Sequence, residues 1–179
     1  MGLRKASAYS KKKVVPFTRV SKKKGKSYIK TVPQQKIVKF SMGSETLYNE
    51  GKLPHKISLV SKEKVQIRHN ALEACRQYIH KRLEKELSGQ YVFRIVPFPH
   101  HIQRENKMLT AAGADRMQTG MQLSFGKSSG KAAIVRPGST IFLIAVSDEK
   151  AVNIARDVLK RIKSKLPGTK KIVYEFVKK

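Results

Sequence analysis

The chain has 179 residues, with 39 Lys plus Arg against 12 Asp plus Glu and a formal net charge of +27. At 40% hydrophobic it can build one real core, but so much like charge repels itself unless a polyanion lies alongside, which points to nucleic acid first and an anionic membrane second. No apolar run approaches the roughly 18 residues of a membrane-spanning helix, the basic N-terminus lacks the apolar region of a secretory signal, and Cys75, the only cysteine, has no partner for an internal disulfide.

In chain order, residues 1–33 form a basic N-terminal extension ahead of a single domain over 34–179. Residues 1–44 hold eleven Lys, two Arg and no acid; Glu45 is the first. The run KKKVVPFTRVSKKKGKSYIK (11–30) has too little apolar periodicity to fold alone. It reads as an arm ordered on a polyanion, or as a solvated tail. Tyr9, Phe17 and Tyr28 lie in the extension and can stack on bases or anchor the arm.

From Gln35 the pattern changes. QKIVKF (35–40) and KISLV (56–60) are strand-like. A helix follows, with Asn70 as N-cap and Glu73 closing a capping box. Its apolar stripe is Leu72, Cys75, Ile79, Leu83 and Leu87, and Ser88-Gly89 stops it. YVFRIV (91–96) is a strand ended by Pro97 and Pro99. AAIVR (132–136) and IFLIAV (141–146) are strands either side of a Pro137-Gly138 turn. A second helix spans about Asp148 to Lys165 on Ala151, Ala155, Val158, Ile162 and Leu166, and KKIVYEFV (170–177) is the last strand. Helix, glycine break and strand occur twice, hinting at a repeated unit. The fold class expected is α+β, a largely antiparallel sheet with two helices packed on one side, the basic extension and a long internal loop over 104–130.

That loop is the odd feature. Fixing a backbone costs roughly 1–2 kcal/mol per residue, so about 20 loop residues need on the order of 20–40 kcal/mol. The few apolar side chains there cannot supply it, so the loop stays mobile or a large partner orders it. Small residues, among them Ala111, Gly113 and Gly120, allow close backbone approach. Arg104, Lys107 and Arg116 can meet phosphates, and Gln118 and Thr119 can bond sugars or bases. The alternative is a short amphipathic helix packed on the body by Met108, Leu109, Ala112 and Met117.

Little here does chemistry. GMQLSFGKS (120–128) is near a phosphate-binding loop, but five residues separate Gly120 from Gly126, one too many, and no helical stripe follows Lys127. A lysine-bearing turn gripping an RNA phosphate is the simpler reading. Cys75 and His80 fall on different helix faces, His100 and His101 point apart if extended, and no cysteine pair exists for zinc. His55, His69, His80, His100 and His101 are taken as solvated or RNA-contacting. Asp115 beside Arg116 reads as a shape-fixing pair, and Cys75 as core. No catalytic constellation, cofactor or metal is expected. Two rivals remain: a DNA-compacting protein, and a nucleotide-using enzyme built on GKSSGK.

NKMLTAAGADRMQTGM (106–121) followed by SFGK (124–127) resembles the archaeal and eukaryotic branch of the universal large-ribosomal-subunit protein sixteen family, the "ten-e" ribosomal proteins. ALEACR (71–76) and PFPHHI (97–102) are similar to the same family, and PFTR (16–19), YI (28–29) and KIVKFSMG (36–43) match more faintly. The resemblance implies a structural constituent of the cytoplasmic large subunit, with large-subunit rRNA, the tRNA acceptor end, neighbouring ribosomal proteins and subunit assembly factors as partners, and no membrane. The rRNA-binding residues would be Arg4, Lys11, Lys12, Lys13, Arg19, Lys22, Lys23, Lys24, Lys26, Lys127 and Lys131. The tRNA-side loop, 104–120, would use Arg104, Asn106, Lys107, Met108, Gly113, Asp115, Arg116, Gln118, Thr119 and Gly120 near the peptidyl transferase centre. The sequence departs from the family at Glu105, usually apolar, at Gln122-Leu123, usually Arg-Gly, and at Arg4-Lys5, usually Arg-Pro.

Overall fold

The computed structural model describes residues 32–105 and 127–177. The basic extension and most of the internal loop therefore lie outside the described residues.

The expected strand at 35–40 is not one. Residues 35–40 run extended, Ile37 enters the core, and the Ile95 N–H donates to the Phe40 carbonyl at 2.8 Å. The first ladder is β1 (Ser41–Gly43). Gly43 ends it at φ 92°, where a Cβ would stand 2.0 Å from the Tyr91 carbonyl oxygen, so only glycine fits. A short helix the periodicity did not reveal, α1 (Glu45–Asn49), comes next. Then follow β2 (His55–Ser61), β3 (Val65–Arg68), α2 (His69–Leu87), β4 (Tyr91–Ile95), β5 (His101–Glu105), β6 (Lys127–Val135), β7 (Thr140–Val146), α3 (Glu149–Ile162) and β8 (Lys170–Phe176).

Two antiparallel sheets result, one of five strands in the order β1-β4-β7-β2-β8 and one of three in the order β3-β6-β5. In the larger sheet β2 and β4 both pair antiparallel with β7, so they are parallel to each other and joined through α2. Likewise β7 and β8 both pair with β2 and are joined through α3. These are two interlocked split β-α-β units, the ferredoxin-like arrangement. They are the physical content of the repeated helix–glycine–strand pattern.

Helices α2 and α3 cover one face of this sheet, as expected. Leu72, Cys75, Ile79 and Leu83 of α2, with Ala151, Ala155, Val158, Leu159 and Ile162 of α3, share a core with Ile57, Leu59, Phe93, Phe142 and Ile144. The Phe93 and Phe142 rings meet at 5.6 Å and 59°. Each fully buried side chain of this size contributes about 1.5–3 kcal/mol. Cys75 is a core residue, and burial pushes its thiol up to about 11. On the opposite face a small cluster of Leu53, Val92 and Ala145 sits under Leu47 and Tyr48.

The helix ends show local physics at work. β3 runs straight into α2, so Arg68, still extended at ψ 147°, is the N-cap and Asn70 already lies in the first turn. No capping box forms. Glu73 instead takes two hydrogen bonds from Arg76, at 2.7 and 2.8 Å, and one from the Val38 N–H. At the other end Ser88 is left-handed at φ 44°, as the Ser-Gly stop demands. α3 begins after Asp148 and passes into a 3-10 turn over Lys163–Lys165. Lys170 Nζ donates to the Lys163 and Leu166 carbonyls at 2.7 and 2.6 Å, satisfying that terminus.

Candidate nucleic-acid interface

The internal segment springs from the small sheet. Glu105 and Lys127 are direct partners across β5 and β6, so the chain leaves and re-enters at one point. The strands reach further into this stretch than the sequence indicated: 104–105 and 127–130, counted within the loop, are ladder residues.

Arg104 is accordingly not an exposed loop contact. It lies in β5 with 8% of its surface exposed, beside a register shift that leaves Ser129 of β6 without a partner in the ladder. Burial holds its guanidinium below the usual arginine range. Around it the outer face of the small sheet is polar yet buried. Gln66, His101 and Gln103 are all buried, and Gln103 Nε2 donates to Gln66 Oε1 at 3.2 Å.

Beside this layer stands His69, the first residue of α2 and only 2% exposed. Burial chiefly, then the positive charges of Lys36, Arg68 and Lys131, lowers its pKa to about 4. The imidazole is therefore neutral at physiological pH, mainly through burial, with the nearby positive charges adding to the effect. A Cβ on Gly130 would come within 3.3 Å of His69 Nε2 and 3.5 Å of Arg68 Nη2. Glycine there lets β6 approach both groups. Lys36, Arg68 and Lys131 thus gather around His69 near where the segment begins, an arrangement that can grip phosphate.

Of the sequence-predicted residues, Lys131 belongs to this root cluster and Lys127 to the closing pair of the hairpin. Arg4, Lys11, Lys12, Lys13, Arg19, Lys22, Lys23, Lys24 and Lys26 lie outside the described residues. So do Asn106, Lys107, Met108, Gly113, Asp115, Arg116, Gln118, Thr119 and Gly120. Lys36 and Arg68 escaped the sequence reading, and His69, read as solvated or RNA-contacting, is buried. The signal that finds Arg68 and His69 is an Arg-His pair directly after VQI, near a glycine in the partner strand.

The histidines also need correction. His55 Nδ1 bonds the Tyr174 hydroxyl at 2.7 Å and the ring packs on Phe176. His80 Nδ1 bonds the Tyr91 hydroxyl at 2.8 Å, which in turn donates to Glu84. His69 and His101 are buried. Only His100 is exposed. Among the described residues no group of three or more His, Cys, Asp or Glu is placed to hold a metal ion.

A second basic surface lies on the helix layer, where Arg161 and Arg82 hydrogen-bond the Tyr78 hydroxyl and lower its pKa. Lys165 Nζ sits 4.8 Å from the centre of the same ring.

Residues 15–173 match the family described as ribosomal protein L16p/L10e. The chain belongs to this family. It is one of ribosomal proteins, not of enzymes. The large ribosomal subunit protein uL16 of Staphylothermus marinus is 43% identical over 179 residues, spanning 99% of this chain and 97% of the relative. The protein of the same name from Methanococcus maripaludis strain C7 is 41% identical over 174 residues, 97% of this chain and 94% of the relative. That of Hyperthermus butylicus is 44% identical over 153 residues, 85% and 79% of the two chains.

Proposed function

We propose that this chain is a structural constituent of the cytoplasmic large ribosomal subunit, where it binds rRNA and contacts neighbouring ribosomal proteins. The observation that carries the reading is likeness along nearly the whole chain to proteins named as large-subunit components. A net charge of +27 supports it, since rRNA relieves the self-repulsion. The extension and the lysines at 127 and 131 serve as phosphate clamps. Residues 106–120 reach toward the acceptor end of tRNA near the peptidyl transferase centre. The buried Arg104 then stiffens the root of that reach instead of touching tRNA. Assembly factors meet the chain as the subunit matures.

Sucrose-gradient fractionation of native lysate tests the reading. The chain is expected to travel with the large subunit, and recovery free of any RNA-containing particle overturns the proposal. Deleting 106–119 is expected to leave fold and rRNA affinity intact while impairing tRNA handling by the subunits. Unfolding of the isolated deletion variant would favour the packed-helix alternative.

A further inference from the structure

The strap between β4 and β5 carries an exposed aromatic that the fold holds rigidly outward. Phe98 is 59% exposed, and its neighbours Val38 and Val96 are 72% and 55% exposed. Phe98 stacks on Phe40, centroids 5.4 Å apart and planes 28° from parallel. The strap is no loose tail. Val96 N–H donates to the Ile141 carbonyl at 3.1 Å, and His100 N–H to the Ala132 carbonyl at 3.1 Å. His100 Nδ1 closes on the Phe98 carbonyl at 3.0 Å. Pro97 and Pro99 on either side of Phe98 restrict the backbone further. Phe40 is pinned from the other side by its carbonyl bond to Ile95.

An exposed ring held on a doubly tethered strap, with exposed Val96 on the same strap and Val38 on the segment that carries Phe40, forms an apolar patch of the kind that marks an interaction site. The surroundings say which occupant. Two cations, Lys36 and Lys39, are exposed on the segment that carries Phe40. The carboxylate that meets this segment, Glu73, is engaged by Arg76, Gln77 and the Val38 N–H. Exposed aromatic face, apolar flanks and a cationic rim together match an unpaired nucleotide: the ring takes the base and the cations take its phosphates. An acidic or apolar protein surface would use the rim or the flanks but has no need of an open, stacked ring pair. We infer that Phe98, backed by Phe40, is a stacking platform for an unstacked base of RNA, adjoining the loop root through Lys36.

This rests on the rRNA-binding reading, and the test keeps the two apart. Large subunits carrying the tagged full-length chain are irradiated at short wavelength and digested with trypsin, which frees residues 95–104 as one peptide. A nucleotide adduct on that peptide, at Phe98, is expected. Adducts on other peptides of the chain but none on 95–104 overturn the platform and leave rRNA binding standing. No adduct anywhere overturns both, and a protein cross-link at Phe98 hands the patch to a neighbouring protein. In filter-binding of the full chain to deproteinised large-subunit rRNA, Phe98→Ala is expected to weaken binding about 5- to 150-fold with the salt slope unchanged, since no charge is lost. Phe98→Tyr retains binding. Phe98→Leu tests the ring itself: full affinity in that variant overturns base stacking.

Discussion

The two sheets of this protein are built on opposite principles. The five-stranded sheet is sealed by hydrocarbon: Ile57, Leu59, Phe93, Phe142 and Ile144 meet α2 and α3 with no polar group required among them. The three-stranded sheet sends Val65, Ile67, Ala133 and Val135 into that core but also buries Gln66, His101, Gln103 and Arg104. The first sheet makes the domain stable. The second spends stability on a polar, positively charged base from which a long segment departs. Carrier and cargo end are thereby separated within one chain.

The comparison can be broken most directly in the large sheet. Phe93→Ala leaves a cavity against Phe142 and is expected to cost about 3–5 kcal/mol, read as a lowered urea midpoint. The small sheet carries the pH sensitivity. His69 binds a proton near pH 4 when folded but near 6.5 when unfolded. The unfolded chain therefore takes up more protons between those values, so the contribution is complete above about pH 6.5 and is lost as pH falls toward 4. On the order of 3 kcal/mol is at stake. His69→Gln should flatten that limb of the urea-midpoint profile, and an unchanged acid limb would refute the assignment. Gln103→Ala removes a donor from buried Gln66 and is expected to cost about 1–3 kcal/mol by the same measurement. At the surface, Arg82 and Glu86 are 3.7 Å apart and well exposed, so Arg82→Ala should shift stability by less than about 0.5 kcal/mol.

The same contrast explains what could be read from residues alone. The stripes Leu72-Cys75-Ile79-Leu83 and Ala151-Ala155-Val158-Ile162 are visible because oil-like burial imposes a period. IFLIAV and YVFRIV announce themselves likewise. β3 (VQIR) and β5 (HIQRE) do not, since the first alternates over only four residues and the second has a single apolar residue, Ile102. The strand expected at 35–40 fails for another reason: Ile37 supplies the apolar signal, but no ladder partner accompanies it. Lys131 was legible as a basic residue near the loop. Its company of Lys36 and the adjacent pair Arg68-His69 was not, because the three lie 31 or more residues from one another along the chain and the β3–β6 pairing brings Lys131 to Arg68 and His69.

Interlocking of the two β-α-β units has a consequence for biosynthesis. β7 lies between β2 and β4, and β2 lies between β7 and β8. A nascent chain that has emerged only as far as β6 owns two parallel strands with nothing to join them. Its first unit stays open until residues 140–146 leave the exit tunnel, and the outermost strand, β8, arrives last of all. Closure of the large sheet therefore waits for β7, and until then the apolar stripe of α2 has no complete sheet to pack on.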